Sequence, residues 1–317
     1  GLVDVLVSNL RVKQRWLLPL SAAMMGLLPM PGGALLSAPI VERGGDGVSD
    51  ELKAAINNWF RHLFILIYPL SPALMASSKI AGIDVYVAVI YLLPGSLLSV
   101  VLGYFFYLRE LNVSLVHQRH FSLRELALPL AVILCAPVLD FSLKRLFGLG
   151  NLATLIGLTT ALALALLVSR TSVDVRAVTK QARPWNFVLI ILGMFLYMNI
   201  FIASDARYLI AALPLPPLVL ALVAGFGVGF GTGRVDLSAS IIFPIYMAGA
   251  QTISPPYFAR SYVAVFFGYI ISPVHPCLVV TSEYFHVPVR EIMRRHVLPT
   301  ATVFAIVLTI AGVLLFQ

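Results

Sequence analysis

The fourteen residues Gly26 to Pro39, GLLPMPGGALLSAP, decide how the rest of the chain is read. They lie in a run from Trp16 to Val41 that is apolar enough for a bilayer yet holds four prolines and three glycines, residues that interrupt helices. In hydrocarbon every freed N–H and C=O costs several kcal/mol, so broken backbone persists there only inside protein or against a wet cavity. The stretch is therefore a candidate binding element rather than a straight span. A second one, GFGTGRVDLSASIIFP, runs from Gly229 to Pro244.

Composition sets the class. The 317 residues are 60% hydrophobic and 11% charged, with a mean hydropathy of +0.94, which points to an all-α polytopic membrane protein. The net charge of +8 comes without any run of five like charges, so it reads as basic cytoplasmic loops, with the lipid bilayer and no nucleic acid as partner. Cys135 and Cys277 lie in apolar segments and read as small buried hydrophobes, not as a disulfide framework or a metal site. HExxH and GxSxG are absent, and the six histidines show no ligand spacing on one helix, so neither an enzyme nor a resident metal or other cofactor is expected.

In chain order, Gly1 to Leu10 places Leu2, Leu6 and Leu10 on one stripe ahead of Arg11, Lys13 and Arg15, the pattern of a helix lying in the membrane surface. After the interrupted run 16–41 comes a polar loop, ERGGDGVSDELKAAINN. The segment 59–80 is broken by YPLSP, Tyr68 to Pro72, and 85–108 spans with a kink at Pro94. Spans at 126–143, 152–168 and 185–203 precede a second surface helix at 205–213 and the second interrupted run, 217–248. A segment at 261–281 broken by ISPVHP, Ile271 to Pro276, leads through a loop with Arg290, Arg294 and Arg295 to a last span at 297–316. Asp140 and Lys144 read as an interfacial pair one helical turn apart, and Asn57, Asn58 and Asn199 as helix-end hydrogen bonders. The total is about seven full spans and two hairpins.

The two halves repeat each other. Leu10 answers to Leu213, Gly26 to Gly231, Pro39 to Pro244, Trp59-Phe60 to Tyr257-Phe258, Ser71-Pro72 to Ser272-Pro273 and Leu93-Pro94 to Leu298-Pro299. Two units follow, 1–120 and 121–317, each with a surface helix, an interrupted run, a helix broken at Ser-Pro and a kinked span. The second unit has three spans that the first lacks, so roughly three helices are expected to precede Gly1.

Basic residues assign the sides. If both interrupted runs are re-entrant hairpins, sixteen basic residues, Arg61 among them, fall on one side and six on the other; if both cross, the split is ten against eleven, with Arg234 at mid-membrane. The positive-inside rule selects the hairpins. Five spans then separate them, so the repeats are inverted. The first hairpin and the basic loops face the cytoplasm, the second hairpin enters from outside, and the C-terminus lies outside. Secondary transporters of this architecture hold substrate near the midplane, where discontinuous helices meet.

PMPGG, YPLSP, GFGTG and ISPVHPCLVVTSEYF together resemble a prokaryotic integral-membrane family of unknown function in the ion transporter superfamily, alongside divalent-anion/sodium symporters, gluconate and citrate permeases and arsenite pumps. The resemblance implies a homodimer with a scaffold part and a mobile part that carries the two hairpins and two broken helices. The Ser-Asn-Thr signatures of those symporters are absent; Pro-Gly-Gly, Gly-Thr-Gly and Ser-Pro stand near their places.

Half-helix N-termini and close backbone approach suit a carboxylate. The candidate solute-binding residues are therefore Pro29, Pro31, Gly32, Gly33 and Ser37 at the first hairpin, Ser71 and Pro72 at the first break, Gly229, Gly231, Thr232, Gly233 and Arg234 at the second hairpin, and Ser272 and Pro273 at the second break. Asp236, His275 and carbonyls beside Ser71 and Ser272 are candidates for coupling Na+ or H+. The bland alternatives are that the glycines and prolines only shape turns, that Arg234 and Asp236 only solvate a loop, and that His275 is a hydrogen-bonded structural histidine. The expected function is secondary active transport of a small organic anion of the carboxylate class, coupled to Na+ or H+, by an elevator-like movement. A Na+/H+ antiporter or inorganic-anion exporter is the alternative within transport. An intramembrane enzyme is the alternative of another class, and it would need nucleophile, base or metal ligands clustered on facing helices.

Overall fold

The computed structural model describes residues 14–26, 34–109, 111, 123–168, 217–249 and 253–315, with scattered positions between 180 and 209. The first hairpin tip, with Pro29, Pro31, Gly32 and Gly33, lies outside the described residues, as do the 1–10 surface helix and most of 185–213. Among the described residues all regular elements are helical, and none is a strand. The chain divides into two compact units, Gly1–Val12 with Leu115–Leu192 and Lys13–Ser114 with Gly193–Gln317.

In the larger unit the helices are α1 (Gln14–Gly26), α2 (Ala34–Gly44), α3 (Asp50–Ile67), α4 (Pro72–Ile80) and α5 (Val85–Gly103), which runs on into a π-helical turn at Tyr104–Leu108. In the smaller unit α6 (Leu123–Phe147) packs against α7 (Asn151–Val168). The larger unit resumes with α8 (Pro217–Thr232), α9 (Val235–Gly249), α10 (Pro255–Ile270), α11 (Pro276–Phe285) and α12 (Val289–Leu315).

Both helix breaks fall where proline dictates. Pro72 cannot donate to a preceding turn and stands at the start of α4, and Pro276 does the same for α11. The first break bends α3 against α4 by 43°. The two breaks differ in register: α4 starts immediately at Ser71-Pro72, whereas Ser272-Pro273 is followed by a turn and α11 starts only at His275-Pro276. Pro94 lies inside α5 and Pro299 inside α12.

Two expected loops prove to be helix. Ser49 caps α3 and accepts a hydrogen bond from Leu52 N, and Asp50 and Glu51 favour the positive end of the helix, so α3 starts nine residues before the expected segment at 59. The basic stretch with Arg290, Arg294 and Arg295 is likewise the first part of α12. Helices Val85–Leu108 and Asn151–Val168 are long and apolar enough to cross a membrane, and the bent pair α3–α4 is a third if it counts as one span. α6 and α12 have 25 and 27 residues. Large apolar side chains stand exposed along α5 and α7, among them Ile90, Leu97, Val101, Leu155 and Leu162, with Leu167 84% exposed. An apolar exterior of this kind fits a membrane protein.

The centre of the larger unit is α3 and α10. From Tyr257 to Ile270 nearly every α10 residue is buried. α10 packs closely on α8 because two glycines face across the crossing: a Cβ on Gly229 would sit 2.2 Å from the Val265 carbonyl oxygen, and one on Gly268 would sit 2.1 Å from that of Phe226. The ring of Trp59 of α3 packs at a tilt against Tyr107, Phe267 and His296, tying α3 to the π turn, α10 and α12.

In the smaller unit Asp140 is fully buried, 2.9 Å from Lys144 Nζ, and accepts a 2.6 Å hydrogen bond from Thr154 of α7. The expected pair is thus also a tie between α6 and α7. Asp140→Asn is expected to lower stability by about 1–3 kcal/mol, read as a fall in Tm with no change in any binding property of the larger unit.

Candidate functional site

The hairpin of α8 and α9 turns at Gly233, whose φ of +61° is left-handed and whose added Cβ would meet the Val274 backbone at 2.8 Å. Thr232 closes this turn. Its hydroxyl donates to Val228 O, accepts from Arg234 N and bonds Ser238 Oγ at 2.8 Å. Arg234 and Asp236 pair with each other, Nε to Oδ1 at 3.2 Å, at 38% and 22% side-chain exposure. Ser272 Oγ donates to Phe230 O at 2.6 Å, which pins the second break onto α8. Ser37 and Ser71 are buried; the Ser37 hydroxyl donates to Ala34 O, and Ser71 starts α4 without a side-chain cap. Gly231 is exposed, with open space where a Cβ would be. Pro72 and Pro273 are exposed as well. Thr232, Ser272 and Gly233 therefore build the hairpin and its seat.

The polar chemistry lies one layer further in. Asn57, Asn58, Arg61 and His62 of α3, His275 at the second break and His296 of α12 are all buried. Arg61, counted from sequence among the loop charges, lies within α3 at 1% exposure; without it the basic residues still divide fifteen against six. Asn58 is likewise inside the helix rather than at its end. Its Nδ2 donates to Ile270 O at 3.3 Å and to His296 Nε2 at 3.1 Å. His296 Nδ1 then carries the proton toward Tyr107 Oη at 2.6 Å, and Tyr107 donates to Arg295 O. Asn57 Nδ2 donates to Thr281 Oγ1, joining α3 to α11.

A second chain leads to His275. His62 Nδ1 lies 2.5 Å from the Asn58 carbonyl oxygen and so carries the hydrogen. That leaves the lone pair on Nε2, which is buried without a partner. The His275 ring packs 4.7 Å from His62 and 4.0 Å from Tyr269; the Ile270 carbonyl faces it, and neither nitrogen makes a hydrogen bond of normal geometry. The Arg61 guanidinium reaches the Cys277 sulfur, while its Nε and Nη1 have no partner. Among the described residues the ion pairs are Lys53–Asp50, Lys144–Asp140, Arg234–Asp236 and Arg290–Glu291, and Arg61 belongs to none of them.

Sequence reasoning included His275 but missed Arg61, His62, His296 and Tyr107, and took Cys277 for a filler. The signal present was two adjacent basic residues, Arg61-His62, inside an otherwise apolar segment ahead of a Ser-Pro break. A separate cavity of about 230 Å³ is lined by Trp16, Leu20, Phe60, Leu63, Val100 and Tyr104. Its apolar lining suits an acyl group, not an anion.

Fold and site define an all-helical protein with apolar helices of membrane-crossing length and a buried polar group shared by α3, the second break, α11 and α12. The chain belongs to the family described as protein of unknown function (DUF401), whose model matches residues 7–314. No curated protein matches it.

Proposed function

We propose that the protein is a secondary active transporter of a small organic anion, a carboxylate, coupled to Na+ or H+ by elevator-like alternating access. One observation carries this reading: Arg61 is a permanent charge in an enclosed position, with two of its nitrogens unpartnered. A guanidinium cannot lose its proton to escape burial, and a buried charge without a counter-charge is costly. An anionic ligand supplies the missing charge.

Three further features support it. α8 and α9 pack on each other across the tight turn at Gly233, which suits a re-entrant element. The buried polar group includes His275 of the second break and lies on α3, the helix that ends at the first. The sequence motifs resemble the ion transporter superfamily. In this reading the repeats are inverted, the dimer lies in the cell membrane, and the hairpin turns flank the substrate. The topology has its own test in a protein whose native cysteines are replaced: single cysteines at 30–33 are expected to label from the cytoplasmic side and those at 229–233 from outside. Labelling of both sets from the same side contradicts the inversion. Anion binding is tested by a thermal-shift series of carboxylates with and without Na+, in which a bound ligand raises Tm.

A reading of another class also has an observation in its favour. Cys277 beside two imidazoles on facing helices is a nucleophile with candidate bases, as an intramembrane enzyme requires. Cys277→Ser separates the two: carboxylate uptake survives it, whereas turnover through a thiolate nucleophile does not.

A further inference from the structure

The structure brings His62, His275 and Cys277 together from three places in the chain: the middle of α3, the turn of the second break and the first turn of α11. One ligand atom from each lies within 4.8 Å of the other two. We infer that these three side chains form a binding site for a transition-metal cation of the Zn2+ or Co2+ class. The inference stands apart from the transport reading.

The donor set is the first argument. Two imidazole nitrogens and one sulfur suit borderline and soft metals and not Mg2+ or Ca2+, which take oxygen ligands. Bonds of about 2.0–2.1 Å to nitrogen and 2.3 Å to sulfur bring donors to within roughly 3.5 Å of each other. Closing from 4.8 Å asks for movements of about an ångström in the side chains. Three protein ligands leave a fourth position open.

The second argument is how His62 is held. A ligating histidine usually gives its other ring N–H to a carbonyl or carboxylate, which fixes tautomer and ring orientation. His62 has that arrangement, with Nδ1 2.5 Å from the Asn58 carbonyl oxygen and a buried, unpartnered Nε2. The Asn58 side chain in turn is held by Ile270 O and His296, so the support extends into α10 and α12.

The third argument is the unmet demand at His275. Both of its nitrogens are buried and neither makes a hydrogen bond of normal geometry, the Ile270 carbonyl being the backbone group that faces the ring, which His62 and Tyr269 pack tightly. Buried polar atoms left in this way cost free energy that a ligand recovers. A metal deprotonates a coordinating thiol; that thiolate offsets one charge of the metal, and with Arg61 beside the sulfur the site stays net positive, which favours an anion at the open position. The open position admits water or an anion.

The test is a Co2+ titration of the purified full chain in detergent. One equivalent is expected to bind, with tetrahedral visible absorption and a thiolate-to-cobalt charge-transfer band in the ultraviolet, and Zn2+ is expected to bleach both. Cys277→Ser removes the charge-transfer band, and His62→Gln and His275→Gln each weaken binding at least ~10-fold. The wild-type spectrum decides even if a variant fails to fold. Absence of saturable binding, a spectrum without the thiolate band, or a spectrum that Cys277→Ser leaves unchanged overturns the inference.

Discussion

Arg61→Met is expected to abolish carboxylate binding while leaving the ligand-free protein as stable as the wild type, or more so. The two effects come from one cause. Arg61 is 1% exposed, with Nε and Nη1 unpartnered, and lies in none of the ion pairs among the described residues. Replacing a buried charge by an apolar side chain of similar size is often neutral or stabilising by about 1–4 kcal/mol. Removing the partner of a buried, hydrogen-bonded anion costs about 2–5 kcal/mol of affinity, a loss of roughly 30-fold or more. Thermal unfolding of both proteins, with and without the carboxylates that stabilise the wild type, reads both effects. A variant that loses stability and still binds those carboxylates assigns Arg61 a structural role instead. Arg61→Lys keeps the charge but not the planar fork, and is expected to fall between the two.

Trp59→Ala is expected to cost about 3–5 kcal/mol of stability. Trp59 is fully buried and its ring packs against Tyr107, Phe267 and His296, so its loss opens a cavity where four elements meet. Its Nε1 also donates to Ser99 O at 3.0 Å. Trp59→Phe keeps most of the packing and loses that bond, at about 1 kcal/mol beyond the smaller ring. Because Trp59 is three residues before His62 on α3, the cavity is expected to loosen the polar group as well. Thermal or denaturant unfolding measures both variants; equal stability of Trp59→Ala and wild type contradicts the packing described.

The helix breaks were legible because proline acts locally. Pro72 begins a helix at the expected Ser-Pro, and Pro276, the last residue of ISPVHP, begins one three residues after Ser272-Pro273. The second interrupted run, expected at 217–248, is two helices, Pro217–Thr232 and Val235–Gly249, interrupted at Gly233. The starts of α3 and α12 were not legible from hydropathy, since Asp50, Glu51, Arg290 and Arg294 read as loop until the rest of the helix is seen. The Ser49 cap with two acids after it was the available sign.

The site was legible at its rim and hidden at its centre. Glycines and prolines marked the turns, and the hydroxyls of Thr232 and Ser272 proved to hold those turns together. Arg61 counted as a loop charge because charge counting sees number and side, not burial. The meeting of His62, His275 and Cys277 depends on α3 packing against α11, a tertiary fact that spacing along the chain does not encode.

The measurement closest to the central claim is uptake of radiolabelled carboxylates into proteoliposomes under an imposed Na+ or H+ gradient. The account predicts uptake of at least one carboxylate above its equilibrium level, abolished by collapse of the driving gradient and by Arg61→Met. Failure of folded wild-type protein to accumulate any carboxylate under either gradient, or equal accumulation by Arg61→Met, contradicts it.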